Sequence, residues 1–85
     1  MKGPPIILTT DFGHADEYVG VLKGVILSIN PAATLVDLSH AIPPQDIGRA
    51  AELVFRNYRY FPHGSLHLCI IDPGVGTKRR IIVVS

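Results

Sequence analysis

The stretch Leu66-His67-Leu68-Cys69-Ile70-Ile71-Asp72-Pro73-Gly74-Val75-Gly76-Thr77-Lys78-Arg79-Arg80 decides how the chain is read. Its first part is an apolar run of strand-forming length, and the Asp-Pro-Gly that follows stops it in a tight turn. In open α/β sheets ligands bind beyond the carboxyl ends of the strands, so an Asp and an Arg on such a turn are candidate site residues. The pattern recurs at the front of the chain, where Ile6-Ile7-Leu8 leads into Thr10-Asp11-Phe12-Gly13-His14-Ala15-Asp16. Two strand ends therefore offer carboxylates to a common edge.

Between and after these turns, strand and helix signals alternate. Val19, Leu22, Val25, Ile26 and Ile29 recur at helical spacing, with Asp16 or a near neighbour as N-cap and Pro31 as the stop. Thr34 to Leu38 reads as a second strand, and Ser39 to Gln45, with Pro43-Pro44, as a stiff connection. Asp46 is placed to cap a second helix carrying Ile47, Ala50, Ala51, Val54, Phe55 and Tyr58, which Pro62-His63-Gly64 ends. Leu66 to Ile71 is the third strand and a fourth starts near Ile81. The order β-α-β-α-β-β, joined by right-handed crossovers, predicts an α/β fold with a mostly parallel sheet flanked by helices. Tyr18, Phe55, Tyr58, Tyr60 and Phe61 are assigned to helix packing rather than to a base-stacking surface.

Composition narrows the classes. A chain of 85 residues with 47% hydrophobic residues suits one small α/β core. A chain of this size buries only about 60 to 65% of its unfolded surface, so its stability is modest. A net charge of +1, with Lys78-Arg79-Arg80 as the only basic cluster, gives no footprint for nucleic acid. Cys69, the single cysteine, excludes a disulfide framework and sits in an apolar run as a buried thiol would. No apolar stretch has the length of a membrane span or a signal segment, so no membrane partner is expected and the cytoplasm is the default. The sequence ends inside the apolar run Ile81-Ile82-Val83-Val84-Ser85 with no turn after it, which predicts the front part of a longer protein, residues 1–85 being one unfinished domain.

Each candidate residue admits a chemical and a structural role. Asp11 can accept hydrogen bonds from both hydroxyls of a ribose, or close an Asx-turn. Gly13 lets backbone approach a ligand, and Asp16 can meet a ligand ammonium or cap the helix. Asp72 and Arg79, seven residues apart across a turn, can pair. A guanidinium there keeps the carboxylate ionised to orient water, or simply orders the turn. The Gly-Val-Gly-Thr piece lacks both the full glycine fingerprint and the ending of a P-loop. His40 follows the second strand at the ligand edge, His63 and His67 read as surface or packing residues, and His14 is ambiguous. A metal site from Asp11, His14, Asp16 and Asp72 matches no familiar ligand spacing, and none is expected.

Taken together, Thr10-Asp11-Phe12-Gly13 with Asp16, Tyr18-Val19-Gly20 with Lys23-Gly24, Val36-Asp37-Leu38-Ser39-His40 with Ile42-Pro43 and Asp46, and Asp72-Pro73-Gly74-Val75-Gly76-Thr77 with Arg79-Arg80 form an ordered set. This set resembles the S-adenosylmethionine (SAM) hydroxide adenosyltransferases, the SAM hydrolases related to fluorinase and chlorinase. The resemblance covers nearly the whole chain but only the front of the family's amino-terminal α/β domain. It implies hydrolysis of SAM at its 5′ carbon to adenosine and methionine, with SAM as substrate and no cofactor. It also implies that Asp11, Phe12, Gly13 and Asp16 bind substrate and that Asp72 and Arg79 are catalytic, orienting the attacking water. The family's water-handling histidine comes later in the chain, and its pocket is completed in a homotrimer by a carboxyl-terminal β domain, absent from these residues, so the isolated piece is expected to be inactive. The Asp72 and Arg79 pair separates the hydrolases from the halogenases, whose anionic nucleophile a carboxylate would repel. A halogenase branch and a non-catalytic adenosine-binding module remain the alternatives.

Overall fold

The computed structural model describes residues 3–13 and 17–71, and the backbone of 80–84. Strands β1 (Ile6–Thr10), β2 (Leu35–Ser39), β3 (Leu66–Ile71) and β4 (Arg80–Val84) form one sheet in the order β2-β1-β3-β4. Helix α1 (Tyr18–Ile29) joins β1 to β2, and helix α2 (Ile47–Asn57), prolonged by a 3-10 turn over Tyr58–Tyr60, joins β2 to β3. β1 runs parallel to both β2 and β3, and β4 returns antiparallel to β3. The α/β fold with a mostly parallel sheet, read from the sequence, is the fold adopted.

β1 is central, and Ile7 and Leu8, which point to opposite faces, are both fully buried. Burial on both faces is why this strand reads as a continuous apolar run instead of alternating. Ile7 and Thr9 stand in register with His67 and Cys69, while Leu8 and Thr10 pair with Leu68 and Ile70 on the other face.

The helices differ in how they are held. Asp46 caps α2 as its position predicts, its Oδ1 accepting from the Arg49 N–H at 2.9 Å. Ala50 is buried with Ile42 and Ile71, and Ile47 and Leu53 pack against that cluster. α1, by contrast, has no buried residue, and Val21, Val25 and Ile29 are more than half exposed. Its N-cap position is taken by Glu17, whose side chain makes no capping bond. The residue already has helical φ and ψ, and a good cap needs a short side chain on extended backbone. Asp16 lies outside the described residues.

The aromatic assignment needs correction. Tyr18, Phe55, Tyr58 and Tyr60 are each at least 54% exposed, with Phe55 at 78%. The buried stripe of α2 is narrow, running through Ala50 and Val54, so Phe55 and Tyr58 fall at its margin and contact each other, ring centroids 6.1 Å apart. Phe61 does pack, its ring edge-on to His67 at 5.6 Å.

Leu8→Ala should therefore cost about 2–5 kcal/mol, the range for truncating a buried leucine that its surroundings cannot refill. Ile29→Ser, at 81% exposure, should stay within about 0.5 kcal/mol. Urea unfolding of the complete protein followed by circular dichroism checks both, and equal effects would contradict the assignment of the core to β1.

Candidate active site at the strand ends

The chain leaves β1 for β2 on one side and then crosses back to β3 on the other. The winding thus reverses between β1 and β3, and it is beyond the carboxyl ends at such a switch that open α/β sheets bind ligands. Thr10 pairs with Ile70, so β1 and β3 finish at the same edge, and the residue after Ile71 is Asp72. Asp11, Phe12 and Gly13 follow β1 at this edge, and His40 follows β2. Asp16, Asp72 and Arg79 lie outside the described residues, as does His14.

The β1 turn is held by its own backbone and by β2. The Gly13 N–H donates to the His40 carbonyl at 2.7 Å, and the Phe12 N–H donates to Thr10 Oγ1 at 3.2 Å. The Ile42 N–H donates to the Thr10 carbonyl at 3.3 Å, tying down the segment after His40. Gly13 has φ +73°, and a Cβ built there would meet nothing within 4 Å. The need for glycine is torsional, since other residues pay to adopt this left-handed conformation. The Phe12 ring leans on Tyr18, centroids 6.2 Å apart. Thr10, one residue before Asp11, makes a short side-chain bond within the turn.

His40 is fully buried and sits beneath the ligand edge, not on it as its sequence position suggested. Its Nδ1 lies 2.7 Å from Thr10 Oγ1 and its Nε2 lies 2.7 Å from Asp37 Oδ1. Lys23 Nζ, from α1, donates to the other Asp37 oxygen at 2.7 Å. The order hydroxyl, imidazole, carboxylate mimics a nucleophilic triad, but Thr10 is fully buried and its oxygen already accepts from Phe12. A hydroxyl sealed from substrate cannot attack it, so the chain is a support. Sequence reasoning missed this set because its members come from β1, α1 and β2, and only the fold brings Lys23 to Asp37.

Electrostatics follow the contacts. The hydrogen bond from Lys23, aided by His40, holds the Asp37 carboxyl below its ordinary value and outweighs the upward push of burial. Burial pushes the Cys69 thiol up, with the Thr9 hydroxyl offsetting part of it, which suits a structural cysteine and not a nucleophile. Burial lowers the His67 imidazole, whose Nδ1 is buried without a hydrogen-bond partner. His63 is exposed. A groove of about 930 Å³ beside α2 is lined by Val54, Phe55, Phe61, His67 and Cys69 among others, and by none of Asp11, Phe12, Gly13 or His40. Its walls are mostly apolar. Among the described residues, no three His, Cys, Asp or Glu side chains are placed to hold a metal ion, and no helix is long and apolar enough to cross a membrane.

Residues 6–85 match the family model described as the SAM hydroxide adenosyltransferase N-terminal domain. The chain belongs to this family. It is 46% identical over 78 residues to the (R)-S-adenosyl-L-methionine hydrolase of Thermus thermophilus, covering 92% of this chain and 31% of that protein. To a fluorinase of an Actinoplanes species it is 35% identical over 84 residues, 98% of this chain and 28% of that one. A conserved hypothetical protein of Thermus thermophilus, solved by crystallography, superposes with a TM-score of 0.77 at 47% identity, covering 92% of this chain and 33% of that structure. The chain thus spans about a third of the length of the hydroxide adenosyltransferase relatives it matches.

Two groups should make stability fall in acid over separate ranges. Below the ordinary imidazole value of about 6.5, the unfolded chain takes up a proton at His67 that the folded chain resists, so stability drops as pH falls. Asp37 acts lower. The fold favours its charged form, so its contribution is whole above the ordinary carboxylate value and is lost as pH falls through the lower folded value. Melting temperatures measured from pH 8 to 3 should show His67→Leu flattening the upper limb and Lys23→Met the lower one. A limb unchanged by its substitution would refute that attribution.

Proposed function

We propose that the chain carries the adenosyl-binding side of a SAM hydrolase, in which water or hydroxide attacks the 5′ carbon of SAM, expels methionine and leaves adenosine. The observation that carries the reading is the position of the Asp11-Phe12-Gly13 turn at the switch between β1 and β3, in a member of this family. Asp11 accepts hydrogen bonds from the ribose hydroxyls, with Phe12 and Gly13 shaping the wall beside it. Asp16 meets the methionine ammonium. Asp72, paired with Arg79, orients the nucleophile.

The chemistry asks for little more. An oxygen–carbon bond forms as the carbon–sulfur bond breaks, the electron pair leaves on sulfur as a neutral thioether, and a water nucleophile, unlike hydroxide, releases one proton to solvent. Holding the oxygen in line with the sulfonium converts an encounter into a positioned step, and expelling water removes its competing hydration. The displacement requires no metal or redox cofactor.

We extend the reading to a cytoplasmic homotrimer in which residues 1–85 form the front of the family's longer α/β domain and a carboxyl-terminal β domain completes the pocket. The 31% share of the Thermus thermophilus relative supports the longer architecture, and a lone buried cysteine fits a reducing compartment. On this view residues 1–85 alone are inactive. The fluorinase likeness supports a halogenase as the second reading.

The complete protein, expressed from its own gene, should convert SAM to adenosine and methionine without added metal, the products being resolved by chromatography. Asp72→Ala should lower kcat by about 10²-fold, and Asp11→Ala should raise KM at least about tenfold. A 5′-halo nucleoside formed with chloride or fluoride would move the assignment to the halogenases. Adenosine binding without turnover would leave a binding module.

A further inference from the structure

We propose that Thr10, His40, Asp37 and Lys23 form a positioning relay that holds the Asp11-Phe12-Gly13 turn in its ligand-ready form, with His40 in it as the neutral Nε2–H tautomer. The hydrogen bonds dictate the direction of the chain. A carboxylate only accepts, so the His40 nitrogen 2.7 Å from Asp37 Oδ1 must carry a proton. At the other end, Thr10 Oγ1 accepts from the Phe12 N–H, so its own hydrogen is free to point at His40 Nδ1, 2.7 Å away. Nδ1 then accepts, and the ring carries one proton. The order is Phe12 N–H to Thr10 O–H to His40 to Asp37.

A doubly protonated ring would break this order. Nδ1–H would donate into Thr10 Oγ1, turning the hydroxyl hydrogen away inside a side chain that is fully buried. A buried donor without an acceptor is costly. Lys23, on the second oxygen of Asp37, supplies the positive charge that the carboxylate needs, so the ring can stay neutral.

The relay also explains why the turn is fixed twice by one residue. The His40 side chain reaches the Phe12 amide through Thr10, and the His40 carbonyl takes the Gly13 N–H directly at 2.7 Å. The two amides that follow Asp11 are thus tied before any ligand arrives, Phe12 to Thr10 of β1 and through it to His40, and Gly13 to His40 directly. A binding carboxylate has to be held within about 0.5 Å of its productive position, and ordering the turn in advance removes that cost from binding. Thr10, His40, Asp37 and Lys23 touch no ligand in this scheme and are positioning residues.

The proposal rests on the hydrolase reading only in naming an adenosyl group as the ligand. Its test uses the complete protein and two readouts, adenosine affinity by calorimetry and the ring-nitrogen NMR signals of His40. Wild type should bind adenosine and show a protonated Nε2 beside a bare Nδ1. Thr10→Val should weaken adenosine binding about tenfold, the worth of one or two misplaced hydrogen bonds, while Thr10→Ser stays within about twofold. Should Thr10→Val fail to fold, Lys23→Met takes its place, since Lys23 is partly exposed and lies at the far end of the relay. It should weaken binding about threefold with the same tautomer signal blurred toward exchange. Wild-type affinity in the folded variant, or a protonated Nδ1, overturns the relay and leaves the hydrolase reading standing. A wild type that binds neither adenosine nor SAM overturns that reading and the relay's ligand role with it.

Discussion

The pairing of β1 on both edges is the constraint on which the other features depend. Because β2 and β3 both lie parallel to it, each connection must cross a face of the sheet, and the two helices are the crossovers. The same pairing brings the carboxyl ends of β1, β2 and β3 to one edge, where the winding reverses. Strand register alone makes the segments that leave β1 and β3 start from that edge.

Buried polar structure beneath that edge is the second consequence. A parallel strand covered on both faces has no room for solvated polar groups, yet β1 ends in Thr9 and Thr10, both fully buried. Thr10 is tolerable because its oxygen is bonded to Phe12 and His40, and His40 because both ring nitrogens are engaged. Such a network stabilises only while every member is satisfied, which makes it a specific clamp instead of a general adhesive. It reaches outward as far as Lys23, giving α1 a polar tie to β2 where its apolar residues bury little.

Much of this was legible in the sequence, for identifiable reasons. Strand positions are marked by apolar runs ended by Asp or Pro, and Asp46 announces α2 because a short acid before a helical pattern has few other uses. The edge placement of Asp11, Phe12 and Gly13 follows once the strands are known. The exposure of Phe55 and Tyr58 was not legible, because helical spacing gives a face but not the width of the stripe that the sheet covers. Nor was the burial of His40. The residue after a strand end is expected in solvent, and the bonds from Gly13 to its carbonyl and from Ile42 to the Thr10 carbonyl, which bring the neighbouring segments over it, leave no mark in the sequence. Long-range polar partners such as Lys23 and Asp37 leave no periodic trace in a sequence.

The proposed reaction gives the adjacency of β1 and β3 a chemical meaning. Neighbouring strands lie about 4.8 Å apart, so turns that leave their ends start from points separated by roughly the width of one sugar ring. A ribose presents its hydroxyls on one side and its 5′ carbon on the other. On the proposed reading, the turn after β1 grips the hydroxyls through Asp11 and the segment after β3, which carries Asp72 in the sequence, serves the carbon where the bond changes. Two carboxylates serving one ribose in a dry site would repel each other unless each is compensated. Arg79 is in position along the sequence to serve the second turn. The first is ordered differently, since the Phe12 and Gly13 amides that follow Asp11 are bonded to Thr10 and His40, and on the proposed reading the charge that Asp11 meets comes with the sulfonium.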